Sequence, residues 1–316
     1  MKKIHIKKIT EINKDELVEF YKKSFQFKSG VIENFNWRYR LGFNDYEPIV
    51  LIIDDQICGH AGLIPAKIKI NNIIHNAIWF TDFFININYR SKGYGKLLTK
   101  EWMKICPIQI TLCNEDSLRV FKKYNWVNNK KFVRKVKFNN YLNIIPKFEN
   151  ITYSNNYKDV ENLQYLELSN STISKIIEIN DHNQIQKVSG ILRDENWFKW
   201  RLIDCPYKKD IFILKIKDQY LVAHLRFKKN LKILNVVYST SDITPEITNV
   251  LLKFLKKNKI DLFAFISNKK GFFDSLIPGQ KNLNFAFYSK EKNILNNLNK
   301  EIDDIQYIDS DLDYII

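Results

Sequence analysis

Arg90-Ser91-Lys92-Gly93-Tyr94-Gly95 is the stretch whose residue types and spacing could do chemistry. Two glycines one residue apart allow a tight turn in which backbone N–H groups converge. An apolar run (78–87) leads into the turn, and a run of helical character (96–105) leads out. A strand, a glycine turn and a helix N-terminus aimed at one spot bind a diphosphate. The amides of 92–96 would grip it, Gly93 and Gly95 would let it approach, and Arg90 and Lys92 would add charge.

A second stretch follows at a fixed distance. Nineteen residues after Gly95, a short strand ends and Asn114-Glu115-Asp116-Ser117-Leu118-Arg119-Val120-Phe121-Lys122-Lys123-Tyr124-Asn125-Trp126 begins. Asn114 is suited to cap a helix here, since Asn is favoured at that position.

Together the two stretches resemble the GNAT superfamily of acyltransferases. The first resembles its Gln/Arg-x-x-Gly-x-Gly/Ala loop. The second resembles Asn-x-x-Ala-x-x-x-Tyr-x-x-x-Gly-Phe, with Ser117, Phe121, Asn125 and Trp126 at the last four fixed positions. The likeness covers roughly residues 45–138. It implies a mixed α/β sheet that splays between two parallel strands. Acetyl-CoA or another acyl-CoA would be the acyl donor, with no metal. The pantetheine arm would lie along Phe83, Phe84, Ile85 and Ile87. The diphosphate would sit over Arg90, Ser91, Lys92, Gly93, Tyr94, Gly95 and Lys96. Asn114, Ser117 and Phe121 would line the other side. Phe121 replaces the family's usual Tyr, which puts the expected acid in doubt.

Acyl transfer to an amine needs a group to take the proton. Asp82 stands in the apolar run Ile78-Trp79-Phe80-Thr81-Asp82-Phe83-Phe84, where a carboxylate is costly unless paired or used. It is therefore a candidate base, or half of an ion pair within the sheet. His60, in Gly59-His60-Ala61-Gly62, is a second candidate. Tyr124, a turn beyond Phe121, could protonate the sulfur. Glu101 and Trp37 are candidate acceptor contacts.

These residues need a scaffold. Apolar spacing predicts a helix over 11–26, with Leu17, Phe20, Tyr21 and Phe25 near one face. A hairpin spans 48–58 and turns at Asp54-Asp55-Gln56; a second strand pair turns at Asn71-Asn72. Strands are expected at 108–112 and 132–138, with a helix over 114–124; the last strand closes the unit. The second half echoes the first. Trp37-Arg38 precedes Asp55-Gln56 by 18 residues, as Trp200-Arg201 precedes Asp218-Gln219, and His60 and His224 follow. This suggests an internal duplication whose second copy has strands at 231–238, 262–267 and 284–289, a helix over 246–256, and no glycine loop. The expected domains are an acyl-CoA-binding catalytic domain (1–145), a connector (146–185) and a degenerate GNAT-like domain (186–316). The last would wall off the substrate pocket or join two chains as a homodimer.

The chain has 316 residues, 45% hydrophobic and 14% aromatic, ample for two cores, and a net charge of +15. The lysines are spread evenly, so most belong to a solvated surface. The N-terminus lacks an apolar signal core, no apolar run reaches membrane-span length, and the four cysteines lack metal or disulfide spacing. A cytoplasmic protein with reduced thiols is expected. The Trp37-Arg38-Tyr39 element and its echo resemble two-domain bacterial GNAT enzymes. Some of these acylate nucleotide-linked amino sugars for surface glycans. That substrate leads. An aminoglycoside or polyamine, a protein or peptidoglycan peptide, and a non-catalytic acyl-CoA-binding or nucleic-acid-binding role are the alternatives. No nucleic-acid-binding motif is found, so no nucleic-acid partner is expected.

Overall fold

The computed structural model describes residues 3–25, 29–43, 46–139, 157–228, 231–268, 281–302 and 304–309. In chain order the elements begin with β1 (Ile4–Lys8), α1 (Lys14–Ser24), α2 (Ser29–Arg38), β2 (Ile49–Ile53), β3 (Gln56–Ile70) and β4 (Ile73–Ile85). Next come α3 (Tyr94–Ile105), β5 (Ile108–Cys113), α4 (Glu115–Lys122), β6 (Val127–Asn129) and β7 (Val133–Phe138). Then β8 (Gln164–Leu166), α5 (Asn170–Gln186), β9 (Gly190–Leu192) and α6 (Glu195–Phe198) lead to β10 (Ile211–Ile216), β11 (Gln219–Lys228) and β12 (Leu231–Ser239). The chain ends with α7 (Pro245–Lys257), β13 (Leu262–Ser267), β14 (Lys281–Asn282), β15 (Asn284–Ser289) and α8 (Lys292–Glu301).

Two compact units result: Met1–Asn128 with Val188–Leu192 and Phe285–Ile302, and Asn129–Lys187 with Arg193–Asn284 and Asp303–Ile316. The first has a sheet in the order β1-β2-β3-β4-β5-β15-β6, with β9 beside β3. The second has the order β14-β7-β13-β12-β11-β10-β8. Each runs antiparallel up to one parallel pair, β4 with β5 and β12 with β13. The mixed α/β class is as expected. The closing strands are not. β7 pairs with β13 in the second sheet, and β15 lies in the first. Ladder hydrogen bonds use backbone alone, so nothing in a short strand's own sequence names its partner. Contiguous boundaries at 145 and 185 thus give way to interleaved ones. Residues 140–156, which include the start of the expected connector, lie outside those described. Its later part holds β8 and the capped helix α5, both in the second unit.

Local chemistry explains the turns. Asp54 and Asp55 (φ 50° and 61°) and Asn71 and Asn72 (φ 50° and 64°) take the left-handed conformation that two-residue hairpin turns require, which Asp and Asn tolerate. Alternate residues of β2, β3 and β4 pack under α3 and α4, with Leu51, Leu63, Phe80, Leu98, Trp102 and Phe121 at the centre. The second core joins β10–β13 to α7 through Leu214, Leu221, Leu234, Leu251, Phe254 and Phe263.

His224, buried on β11, is held down to about 3 by burial, then by Arg226 and Arg201. It is neutral in the fold, whereas the unfolded chain takes up a proton near pH 6.5. Stability is therefore complete above about pH 6.5 and is lost progressively as pH falls toward 3. The urea midpoint should drop between pH 7.5 and 4.5, and His224→Asn should drop less. Equal losses would refute this.

Candidate active site

β4 and β5 share only two parallel rungs, Ile78 with Gln109 and Trp79 with Ile110. Beyond them, β4 continues to Ile85 and β5 to Cys113 without pairing each other. The sheet therefore opens into a V. At its apex the Thr111 hydroxyl donates to the Phe80 carbonyl at 2.8 Å. Beneath it, Phe80 stacks on Trp102 (3.9 Å between centroids) and Phe121 on Trp126 (4.6 Å). One wall of the V is backbone that can pair with an amide chain.

The glycine loop sits at the open end. Arg90 Nε donates to the Ile85 carbonyl at 2.8 Å, tying the loop to the end of β4. Lys92 Nζ donates to the Asn88 carbonyl at 2.8 Å. Gly93 is the N-cap of α3 at φ 85° and has no side chain with which to cap it. The first N–H groups of a helix have no partner within it, and they carry the positive end of its dipole. A Cβ on Gly93 would meet nothing within 4 Å, and one on Gly95 only Ile85 Cγ1 at 3.7 Å. The space over this helix end is open and basic. A diphosphate fits it, and an amide-bearing arm fits the V behind it.

On the other face of β4 is a buried polar cluster around Asp82. Arg38 reaches Asp82 Oδ2 through Nε (2.9 Å) and Nη2 (2.8 Å), and the Tyr39 hydroxyl donates to the same oxygen at 2.9 Å. His60 Nδ1 lies 2.8 Å from the Asp82 carbonyl oxygen, and its Nε2 lies 3.0 Å from the Tyr21 hydroxyl. A carbonyl only accepts, so Nδ1 carries the proton and Tyr21 donates to Nε2. Burial, followed by the Asp82 charge, pushes the Tyr21 and Tyr39 phenols up, so both stay protonated donors.

The structure brings Asp82 and His60 together and supplies the ion pair the apolar strand demanded. Phe83 is exposed, Phe84 half-buried and Ile85 buried along the V, and Ile87 is exposed at the start of the loop. Ser91, Lys92 and Lys96 are exposed; Tyr94 is half-buried. The Asn114 side chain caps α4, accepting from the Ser117 N–H at 2.8 Å. Phe121 is buried in the aromatic core, and Tyr124 is half-buried against it. Glu101 pairs with Lys104 on the surface of α3 at 2.7 Å, and Trp37 is half-buried beside Arg38. Cys113, ending β5, is pushed up to about 12 by burial, then by Glu115, and stays a thiol. Sequence reasoning missed Arg38, Tyr39 and Tyr21 as partners of Asp82 and His60. The signal was the carboxylate itself, which required a cation, and Arg38 was already part of the repeated Trp-Arg pair.

The second unit opens in the same way. β12 and β13 share rungs only at Ile233, Leu234 and Asn235. Here the Gln306 amide pairs with the end of β12, taking the Ser239 N–H at 2.6 Å and donating to the Ser239 carbonyl at 3.0 Å. The N-terminus of α7 is capped by Thr244, begins with Pro245 and carries Glu246, which pairs with Lys217. A capped helix end bearing a carboxylate repels a diphosphate. β12 has no acidic residue where β4 has Asp82.

Comparison with known proteins agrees with this geometry. Residues 5–109 match the family model for an acetyltransferase (GNAT) domain. Two GCN5-related N-acetyltransferase structures share the fold at 12% identity and TM-score 0.61. The one from Kribbella flavida covers 91% of this chain and 72% of its own. The one from Anabaena variabilis covers 90% and 72%. The structure of Saccharomyces cerevisiae N-myristoyltransferase with myristoyl-CoA and inhibitors matches at 15% identity and TM-score 0.57, covering 90% of this chain and 80% of that one. No curated protein matches in sequence. The fold and the match over residues 5–109 place an acetyltransferase (GNAT) domain in the first half of the chain. No helix among the described residues is long and apolar enough to cross a membrane.

Proposed function

We propose that this chain moves a short acyl group from acyl-CoA to the primary amine of a small molecule, with a nucleotide-linked amino sugar of surface glycan synthesis as the leading acceptor. The observation that carries the donor half is the V between β4 and β5 with an uncapped helix N-terminus at its mouth. Phe83, Phe84 and Ile85 would lie along the pantetheine arm, and the amides of Gly93, Tyr94, Gly95 and Lys96 would hold the diphosphate, with charge from Arg90 and Lys92. The acceptor half rests on the net charge of +15, which attracts a phosphate-bearing substrate, and on Trp37 beside the cluster. Glu101, occupied by Lys104, drops to a lesser role.

In the reaction, the amine nitrogen attacks the thioester carbonyl carbon and forms the C–N bond. The C–S bond breaks, and its electron pair leaves on sulfur. One amine proton passes to water, and Tyr124 is the proposed proton donor to sulfur. A thiolate is a stable leaving group near neutral pH, so this help is modest. Strand backbone supplies donors to the oxygen as charge builds on it.

The test is thiol release from acetyl-CoA against nucleotide-linked amino sugars, aminoglycosides, polyamines and peptides. Turnover with the nucleotide-linked sugars, exceeding that with the free sugars, is expected. Turnover confined to another acceptor class would overturn the acceptor assignment. Salt-sensitive DNA binding without thiol release would overturn the enzyme reading.

A further inference from the structure

Resting on the acyltransferase reading above, we infer that Thr111 and Phe121 form the end wall of the acyl site and hold the donor to an acetyl or propionyl group. The fold itself leaves acyl length open, because side chains and not topology shape such a pocket.

With the diphosphate at the mouth of the V and the arm running inward, the acyl group comes to rest at the apex. The last parallel rung joins Trp79 to Ile110. The next residues are Phe80 and Thr111, and there a side chain makes the link: the Thr111 hydroxyl donates to the Phe80 carbonyl. Thr111 is buried. The bridge spans the place where the strands part, so a longer tail has no path onward between them.

Nor is there a path downward. Alternation along β5 puts Gln109, Thr111 and Cys113 on the face toward α3, where the Gln109 amide donates to the Met103 and Cys106 carbonyls at 3.0 and 2.9 Å. Under Thr111 on that face lies the aromatic stack. Phe121 stands edge-on to Phe80 and to Trp102, at 5.7 and 6.5 Å between centroids, with Trp126 behind it. None of these four rings is more than 6% exposed. A core so packed admits an extra methylene only by displacing a ring. The other face of β4 is taken by the Asp82 pair with Arg38 and by the Tyr39 hydroxyl, which are poor company for an alkyl chain. Phe121 in place of Tyr now has a reason: a ring without a hydroxyl leaves an apolar wall for a methyl group. In a closed apolar pocket each methylene too many costs about 10- to 200-fold.

The experiment is thiol release from acetyl-, propionyl-, butyryl- and hexanoyl-CoA with one amine that the wild type uses. In the wild type, kcat/KM should fall at least about 100-fold from acetyl to hexanoyl. Thr111→Ala removes the bridge and should raise the butyryl-to-acetyl ratio about 10-fold, whereas Thr111→Ser keeps the bridge and should stay within about 3-fold of wild type. Phe121→Leu shortens the ring wall and should raise the hexanoyl-to-acetyl ratio about 10-fold. Each variant is measured after circular dichroism shows it folded. Wild type using hexanoyl-CoA as well as acetyl-CoA overturns the inference. So does an unchanged ratio in folded Thr111→Ala or Phe121→Leu, or a Thr111→Ser that behaves like Thr111→Ala. A wild type that binds acyl-CoA yet acylates nothing defeats the acyltransferase reading instead. The wall is then judged by calorimetry with the same four coenzymes: hexanoyl-CoA binding at least about 10-fold weaker than acetyl-CoA supports it, and equal affinity overturns it.

Discussion

Gly93→Glu should weaken acetyl-CoA binding at least about 1,000-fold by isothermal calorimetry, because at least two charge-assisted hydrogen bonds of about 2 kcal/mol each are lost. Two effects combine. At φ 85° a Cβ strains the backbone at the start of α3, which shifts the amides of Tyr94, Gly95 and Lys96. The new carboxylate then stands at the helix N-terminus, where it caps the amides itself and repels the diphosphate. Gly93→Ala separates the two, since it carries the strain without the charge. Nothing lies within 4 Å of the added methyl, so there is no clash to confuse the result. The alanine variant should lose about 10-fold, in keeping with a strain of 1–2 kcal/mol. Glutamate and alanine variants of equal affinity would show that the helix end does not hold the anion.

Arg193→Met should lower the melting temperature by on the order of 10 °C, from a loss of about 3–5 kcal/mol. Arg193 is 1% exposed, and its guanidinium bridges Asp309 (Nε to Oδ1, 2.6 Å) and Asp304 (Nη1 to Oδ2, 2.9 Å) in the second unit. Removing it leaves the buried Asp309 and the partly exposed Asp304 without their shared cation. Asp304 would keep Lys187 at 2.7 Å and the Gln306 side-chain amide at 3.2 Å. Arg193 and Lys187 hold the Asp304 carboxyl well below its usual range against the opposing pull of burial. That contribution is present above the unfolded carboxylate value, near 3.9, and fades only as pH falls below it. The loss in the variant should therefore shrink in acid. Replacing the triad together, Arg193→Met with Asp304→Leu and Asp309→Leu, should recover most of the stability, because no buried charge is then stranded. Arg193→Met melting like wild type would show that the triad contributes nothing.

How far the sequence speaks depends on the range of each interaction. The glycine loop was legible because φ 85° at Gly93 is a local demand that only glycine meets freely. The hairpins were legible for the same reason, through Asp54-Asp55 and Asn71-Asn72. The echo between the halves rested on the Asp-Gln pairs, and Asp55-Gln56 and Asp218-Gln219 each stand at a hairpin, β2 with β3 and β10 with β11. Asn114 was legible as a cap, because capping reaches only three residues, to Ser117. Partners far apart in sequence were not legible. Arg38 meets Asp82 across 44 residues, and Tyr21 meets His60 across 39. The strand alone announced that Asp82 needed a partner, not which one. The fate of β7 and β15 was illegible for a different reason. Short strands satisfy any open sheet edge, and the choice is made by chain connectivity and the packing of whole units.

The most direct measurement is a crystal structure of the protein with acetyl-CoA. The account predicts one coenzyme per chain, its diphosphate within hydrogen-bond distance of the amides of Gly93, Tyr94, Gly95 and Lys96 and its arm running between β4 and β5. A coenzyme bound in the second unit, or a loop at 90–96 that touches no phosphate, would contradict it.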